Sequence, residues 1–305
     1  MPEAKVARKQ DTSQGIVWML ASTLLFVGVT GIVHHLGSDM PSVEGAFLRY
    51  AFGSLIMLPV LVKLARRQRP SNFAIKLYTL RGLLHGLAVM FWFYAMARIP
   101  IAEVTAIGYI APIFVALGAA LFLGEKMHLR RIASILIGFV GMLIIIRPGL
   151  SAVSLGQVAQ LIAAPLFAAS FLIAKRLTDE EETGAIVAFL SLGSTLVLLP
   201  GALIQWRTPT WEELGWLALT ALFATLGHYT LTRAYRAAPI TVTQPFSFLQ
   251  LVWAAIMGLL LFDEQLDSYV LLGGAIIVAS VTYISHREAV AARRPITPSA
   301  AATRD

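Results

Sequence analysis

The side chains able to do chemistry in this chain are few, and they lie inside long apolar runs. His85 shares a helical face with Arg81 and Trp92, because positions three or four apart stack on one side of a helix. His228 shares a face with Thr225, Thr232 and Tyr235. Arg49 stands within the apolar stretch FLRYAFG. An ionisable group inside a membrane span costs about 2.5–3.5 kcal/mol on insertion scales, so it usually faces a cavity or a partner. Histidine titrates near neutrality, so His85 is suited to bind an anionic group or relay a proton. The alternative is a neutral histidine bonded between helices, and His228, about a turn from the end of its run, fits that alternative better. Arg49 could anchor a carboxylate or phosphate. Equally, it could snorkel to the interface or pair with Glu44 or Glu103.

Two further faces carry polar and aromatic groups. Thr105, Tyr109, Pro112 and Ala116 share one, and Gln244, Phe248, Leu251 and Ala255 share another. Tyr109 and Phe248 would shape or stack on a ligand while Thr105 and Gln244 hydrogen-bond to it; as plain packing, the same residues would lock neighbouring helices together. Gln157 and Gln160 share a face with Phe167. Other chemistries are excluded. The chain has no cysteine, which removes disulfides, thiolate metal sites and a cysteine nucleophile. It has no H-E-x-x-H and no G-x-x-x-x-G-K-[ST] phosphate loop, and no cofactor is expected. His34 and His35 are adjacent, but no ladder of carboxylates accompanies them.

The elements that position these groups follow from composition. Of 305 residues, 57% are hydrophobic and only 13% are charged, with a mean hydropathy of +0.74. A soluble domain carries about 25% charged residues. So few charges cannot cover a water-facing surface, so lipid must solvate most of the chain. Apolar runs long enough to cross a bilayer fall near 15–36, 44–64, 76–97, 101–123, 131–147, 154–174, 184–205, 211–232, 240–262 and 268–286. The expected fold is an all-α membrane protein of ten transmembrane helices. The polar start, with Lys5, Arg8 and Lys9, reads as a segment ahead of the first helix and not as a cleaved signal.

Lys and Arg distribute unevenly over the connections. With the N-terminus inside, only Arg98, Arg147 and Arg207 of the 24 basic residues fall in outer loops, and Arg49 and Arg81 fall within spans. The rest lie in cytoplasmic segments, so both termini are expected in the cytoplasm of a cell inner membrane. The net charge of +7 resides in these clusters and forms no basic face or stacking platform, which argues against nucleic acid as a partner.

An internal repeat organises the chain. At an offset of 139, Ala95 falls on Ala234, Pro100 on Pro239, Ile101 on Ile240 and Glu125 on Glu264. At 141, Gly15 falls on Gly156, Leu55 on Leu196 and Pro59 on Pro200. Five spans per copy is an odd number, so the copies must be inverted in the bilayer. Substrate sites of such proteins lie near the midplane between the repeats, and this pattern points to a secondary transporter. Pro112 and Pro165 interrupt backbone bonding in mid-span, while Gly82 with Gly86 and Gly138 with Gly141 allow close helix approach. Glu125 and Glu264, ending equivalent helices, are expected to cap or pair at the interface. The acidic run Asp179 to Glu182 reads as a solvated loop at the midpoint.

The stretch ARIPIAEVTAIGYIAPIFVALGAALFLGEK followed by IGFVGMLIIIRPG resembles the EamA-type module of the drug/metabolite transporter superfamily. AAPITVTQPFSFLQLVWAAIMGLLLFDEQ resembles a second copy, with Asp263 replacing the glycine at 124. The resemblance covers residues 15–286 and implies ten helices in two modules, with an arginine usual at position 49. Its counterpart in the second copy is Leu190. The division expected is a cytoplasmic segment 1–14, repeats 15–149 and 150–286, and a tail 287–305. The function expected is alternating-access transport of a small organic metabolite of the amino-acid, riboflavin-like or adenosyl-compound class, proton-coupled or by exchange. The competing classes are an intramembrane enzyme and a passive channel. A monomer or weak homodimer in the lipid bilayer would suffice.

Overall fold

The computed structural model describes residues 11–37, 39–66, 70–111, 113–114, 129–147, 152–238, 243, 246–247 and 249–292. Eleven helices and no strand occur among the described residues. In chain order they are α1 (Thr12–Leu36), α2 (Ser42–Ile56), α3 (Leu58–Ala65), α4 (Asn72–Met96), α5 (Ile101–Gly108), α6 (Leu129–Ile146), α7 (Leu155–Leu177), α8 (Thr183–Ile204), α9 (Trp211–Ala237), α10 (Leu249–Leu261) and α11 (Ser268–Ala292). α2 and α3 meet at a 59° bend between Ile56 and Leu58 and together are long and apolar enough for one span. Pro59 sits at the start of α3, where its missing N–H breaks no helical bond and favours a new helix over a continued one. Counted with that pair as one, the helices make ten segments, five before residue 150 and five after.

Five helices (α1, α4, α7, α8 and α9) are long and apolar enough to cross a membrane singly, and the bent pair counted as one span gives a sixth. Shorter apolar helices occupy the remaining positions, including Leu136–Ile146 and Leu249–Leu261. Local sequence fixes several starts. Asp11, Ser71, Ser154 and Thr210 each accept a hydrogen bond from a first-turn N–H, and Gln157 and Glu213 complete reciprocal capping boxes. Pro165 and Pro200 lie inside α7 and α8 without ending them.

The packing repeats itself when the halves are exchanged. α1 packs on α9 as α4 packs on α7; α4 packs on α8 as α9 packs on α2; α1 packs on α10 as α7 packs on α5. α2 and α8 pack on each other, and so do α6 and α11. Both of these last two pairs join equivalent helices, so their direction tests the inversion. Val43 meets Gly201 at one end of α2 and Gly53 approaches Ser191 toward the other, so α2 and α8 run antiparallel. Between them Ser54 Oγ and Thr195 Oγ1 lie 3.0 Å apart, at the sequence offset of 141. In α6 and α11, Gly138 lies by Ser280 and Ile145 by Gly273, again antiparallel. Equivalent helices that run in opposite directions make the repeat an inverted one.

The offsets also mark equivalent close approaches. A Cβ on Gly15 would stand 2.6 Å from Ala238 Cβ, and one on Gly156 would stand 2.8 Å from Ile99 Cγ2. Gly156 is the counterpart of Gly15, and Ala238 that of Ile99, at 141 and 139.

Candidate functional site

Near the middle of the helices the two halves border a partly open cavity of about 170 Å³. α1 contributes Phe26, Val29 and Thr30; α2 contributes Arg49 and Tyr50; α4 contributes His85, Val89, Trp92 and Phe93. From the second half come Phe167 and Phe171 on α7, His228 on α9 and Gln250 on α10. Helical spacing explains these sets. His85, Val89, Trp92 and Phe93 follow one face of α4, and Phe167 and Phe171 are one turn apart on α7.

The cavity wall is largely aromatic. The rings of Phe167 and Phe171 are stacked, 5.9 Å apart and inclined by 10°. His85 sits edge-on to Phe167 at 5.1 Å and to His228 at 5.0 Å, and Phe26 meets His228 at 5.1 Å. The polar groups are poorly satisfied within the protein. His85 Nδ1 lies 2.9 Å from Ser170 Oγ, but its Nε2 has no partner among the described residues. His228 Nδ1, the Tyr50 hydroxyl and Arg49 Nη1 are likewise buried without a hydrogen-bond partner in the described structure. The Arg49 guanidinium lies over the Tyr50 ring, with Cζ 3.8 Å from its centroid. Buried polar atoms are normally paired, so four orphans around one cavity form a set of groups available to a ligand.

Arg49, His85, Trp92 and His228 are therefore brought together, although they belong to three different helices. The two acids offered as alternative partners for Arg49 are engaged elsewhere: Glu44 Oε2 accepts from Arg207 N at 2.9 Å, and Glu103 Oε1 accepts from Gln157 Nε2 at 2.6 Å. Thr105 donates to the Ile101 carbonyl, and Tyr109 donates to the Ser247 carbonyl at 2.7 Å, so both bond to backbone and neither lines the cavity. Gln160 is buried near Gly108, outside the cavity wall. Gln244 and Phe248, like Pro112 and Glu125, lie outside the described residues. Tyr50, Phe26, Phe171 and Gln250 are wall residues that the sequence reading did not single out. Tyr50 had a signal in its position beside Arg49; Phe26 stands in a uniformly apolar run and had none.

Both ends of the bundle are tied by side chains, again in equivalent places. At the end where α1 finishes, His34 Nδ1 lies 2.8 Å from the Met96 carbonyl and His34 Nε2 lies 3.1 Å from Glu264 Oε1. Glu264 also accepts from Ile101 N, so it caps α5 as expected. At the opposite end Lys175 Nζ donates to the Tyr235 carbonyl at 2.6 Å. Lys175 is the counterpart of His34, and Tyr235 that of Met96, at the same two offsets. There Glu181 accepts from the Tyr78 hydroxyl at 2.9 Å, and its carbonyl accepts from Arg236. In the loop before α9, the hydrogen bond to Glu213 holds the Arg207 guanidinium above its ordinary range.

No group of three or more metal-ligating side chains occurs among the described residues. The cavity has a wall that can receive a planar ring and polar groups that can hold its substituents, and none of its described wall residues carries a carboxylate.

Comparison with known proteins agrees with this architecture. The model of the EamA-like transporter family matches twice, over residues 13–147 and 154–286. An S-adenosylmethionine uptake transporter of Rickettsia bellii is 28% identical over 284 residues, covering 93% of this chain and 97% of its own. A riboflavin transporter of Vibrio cholerae is 30% identical over 291 residues, covering 94% and 97%. The pseudopaline exporter of Pseudomonas aeruginosa is 28% identical over 276 residues. One solved crystal structure shares the fold with a TM-score of 0.60, at 16% identity, over 90% of this chain and 99% of that one. Two tandem family matches that together span the bundle, and full-length relatives named as transporters, leave no place for the enzyme reading: the chain belongs to the EamA-like transporter family.

Proposed function

We propose that the chain binds a small organic metabolite with a planar part in the central cavity and carries it across the bilayer by alternating access. The substrate class is an amino acid, a riboflavin-like compound or an adenosyl compound, in keeping with the names of the relatives from Vibrio cholerae and Rickettsia bellii. The observation that carries this reading is the cavity itself, walled by six helices from both repeats and lined with polar groups that have no partner in the described structure. The two tied ends support the mechanism. Equivalent bonds close them, so breaking one set while keeping the other rocks one repeat against its copy. The rocking units are residues 15–149 and 150–286.

The end carrying the start of α1 faces the cytoplasm of the inner membrane, on the Lys and Arg distribution, and a monomer or weak homodimer is the working unit. His85 at the cavity suits proton coupling, and exchange needs no titrating group. Counterflow uptake in proteoliposomes with labelled amino acids, riboflavin and S-adenosylmethionine, with and without a protonophore, tests the reading. Accumulation of one compound by folded protein, lost in His85→Ala, is the expected result. A folded, monodisperse protein that moves nothing on that panel would count against the carrier reading.

A further inference from the structure

Among the described residues the cavity holds positive charge with no acid beside it. Arg49 is 5% exposed, and no described carboxylate stands within ion-pair distance of it. Its guanidinium lies against Tyr50, with Cζ 3.8 Å from the ring centroid. Arg81, one turn from His85 on α4, is also buried; it donates Nη1 to the Ile186 carbonyl, and its Nε has no partner in the described structure. A polar wall of two histidines, a tyrosine, a threonine and a glutamine offers dipoles but no negative charge. A guanidinium taken out of water and left without a counter-charge is strongly destabilising, because only a paired charge recovers the lost hydration. Such a group persists where something that binds supplies the missing anion.

We infer that the substrate carries an anionic group, a carboxylate or a phosphate, that pairs with Arg49 while its planar part rests against Phe167 and Phe171. This rests on the transport reading and narrows it. Neutral riboflavin would leave Arg49 uncompensated, whereas a phosphorylated flavin or an aromatic carboxylate would not. A zwitterion fits with its carboxylate toward Arg49 and its cationic end directed away from both arginines, since like charges in a low-dielectric site repel strongly. Arginine is suited to the task because its planar fork binds carboxylate or phosphate through two parallel hydrogen bonds. The orphaned nitrogens of His85 and His228 are placed to hold neutral polar atoms of the same ligand.

The test compares ligands matched in ring and differing in charge. Detergent-purified protein is assayed for equilibrium binding and proteoliposomes for counterflow. Riboflavin and flavin mononucleotide form the phosphate arm; indole-3-acetamide and indole-3-acetate form the carboxylate arm. The expected result is that in one arm the anion binds about ten- to a hundredfold more tightly than its neutral partner, the worth of a charge-assisted hydrogen bond. Arg49→Gln erases that preference, and Arg49→Lys keeps part of it, which also guards against a glutamine variant that does not fold. Equal binding of both members in each arm, binding of no anion, or a preference that survives Arg49→Gln overturns the inference. Counterflow separates this from the broader reading. Neutral members carried as fast as anions would sink the inference and keep the transporter mechanism; anions bound at Arg49 but never carried would do the reverse.

Discussion

The imidazole of His34 stands between two oxygen acceptors from different helices, the Met96 carbonyl at 2.8 Å and Glu264 Oε1 at 3.1 Å. A carbonyl can only accept, so Nδ1 carries a proton; the contact with Glu264 needs another, on Nε2 or on the carboxyl group. Because Glu264 also takes the Ile101 N–H, this one cluster joins the ends of α1, α4, α5 and α10. Glu264→Ala is expected to lower stability by about 1–3 kcal/mol, by removing both the pair and the cap. Glu264→Gln, which keeps an acceptor for one of the two donors, should cost less. Thermal unfolding of the two purified variants checks the order; an alanine variant as stable as wild type would mean the cluster contributes nothing to holding that end shut.

The equivalent close approaches at Gly15 and Gly156 should respond alike to added bulk. Valine at either position forces α1 off α9 or α7 off α4, with an expected loss of about 1–3 kcal/mol each. A large loss at one site and none at the other would contradict the equivalence of the two contacts.

Gly215 offers the opposite case. It is exposed within α9, and a Cβ there meets nothing within 4 Å. Gly215→Ala should therefore raise stability by about 0.5–1 kcal/mol through helix propensity alone. A lower melting temperature would show that this surface is in contact with something outside the chain.

Ser170 positions His85 from behind the cavity wall and is itself completely buried. Ser170→Ala leaves His85 Nδ1 without its partner, so the ring loses its fixed orientation. The expected outcome is a several-fold rise in KM for the transported compound, with a stability loss of about 1 kcal/mol. An unchanged KM would mean that the orientation of His85 is immaterial to binding.

The absence of native cysteine makes topology directly measurable. A cysteine replacing Thr208, in the α8–α9 loop, should react with a membrane-impermeant maleimide on intact spheroplasts. One replacing Glu180, in the α7–α8 loop, should react only after permeabilisation. The reverse pattern would invert the proposed orientation.

Much of the frame was legible because lipid solvation leaves a coarse mark: ten apolar runs and a landmark order shared by two halves. The two offsets that aligned Gly15 with Gly156 and Ala95 with Ala234 also relate His34 to Lys175 and Met96 to Tyr235, residues of unlike type whose bonds are nonetheless equivalent. The cavity was legible only in part. Arg49, His85 and His228 stood out because polar groups in an apolar run are conspicuous. Phe26 and Phe171 did not, since a helix bathed in lipid is apolar on its outer face as well as its inner one, and periodicity loses its contrast. Tyr109 shows how a face can be seen without its direction. Spacing put it on a face with Thr105, but in the structure its hydroxyl donates to the Ser247 carbonyl and it is not among the cavity-wall residues. The span read as 44–64 is broken by 59°, a bend whose cause, Pro59, was in view among the repeat landmarks.

Ser54 touching Thr195, its own counterpart, is the signature of an isologous interface, in which one patch meets a second copy of itself. The packing is that of an antiparallel homodimer whose two subunits are joined end to end in one polypeptide. In a true homodimer every substitution appears twice, so a single guanidinium could not face the centre without its twin. Joining the copies lifts that constraint: Arg49 stands on one side while the corresponding position on the other is Leu190, buried and apolar. The frame keeps its symmetry while the chamber inside it is free to be lopsided, with a charge on one side and none at the equivalent place on the other.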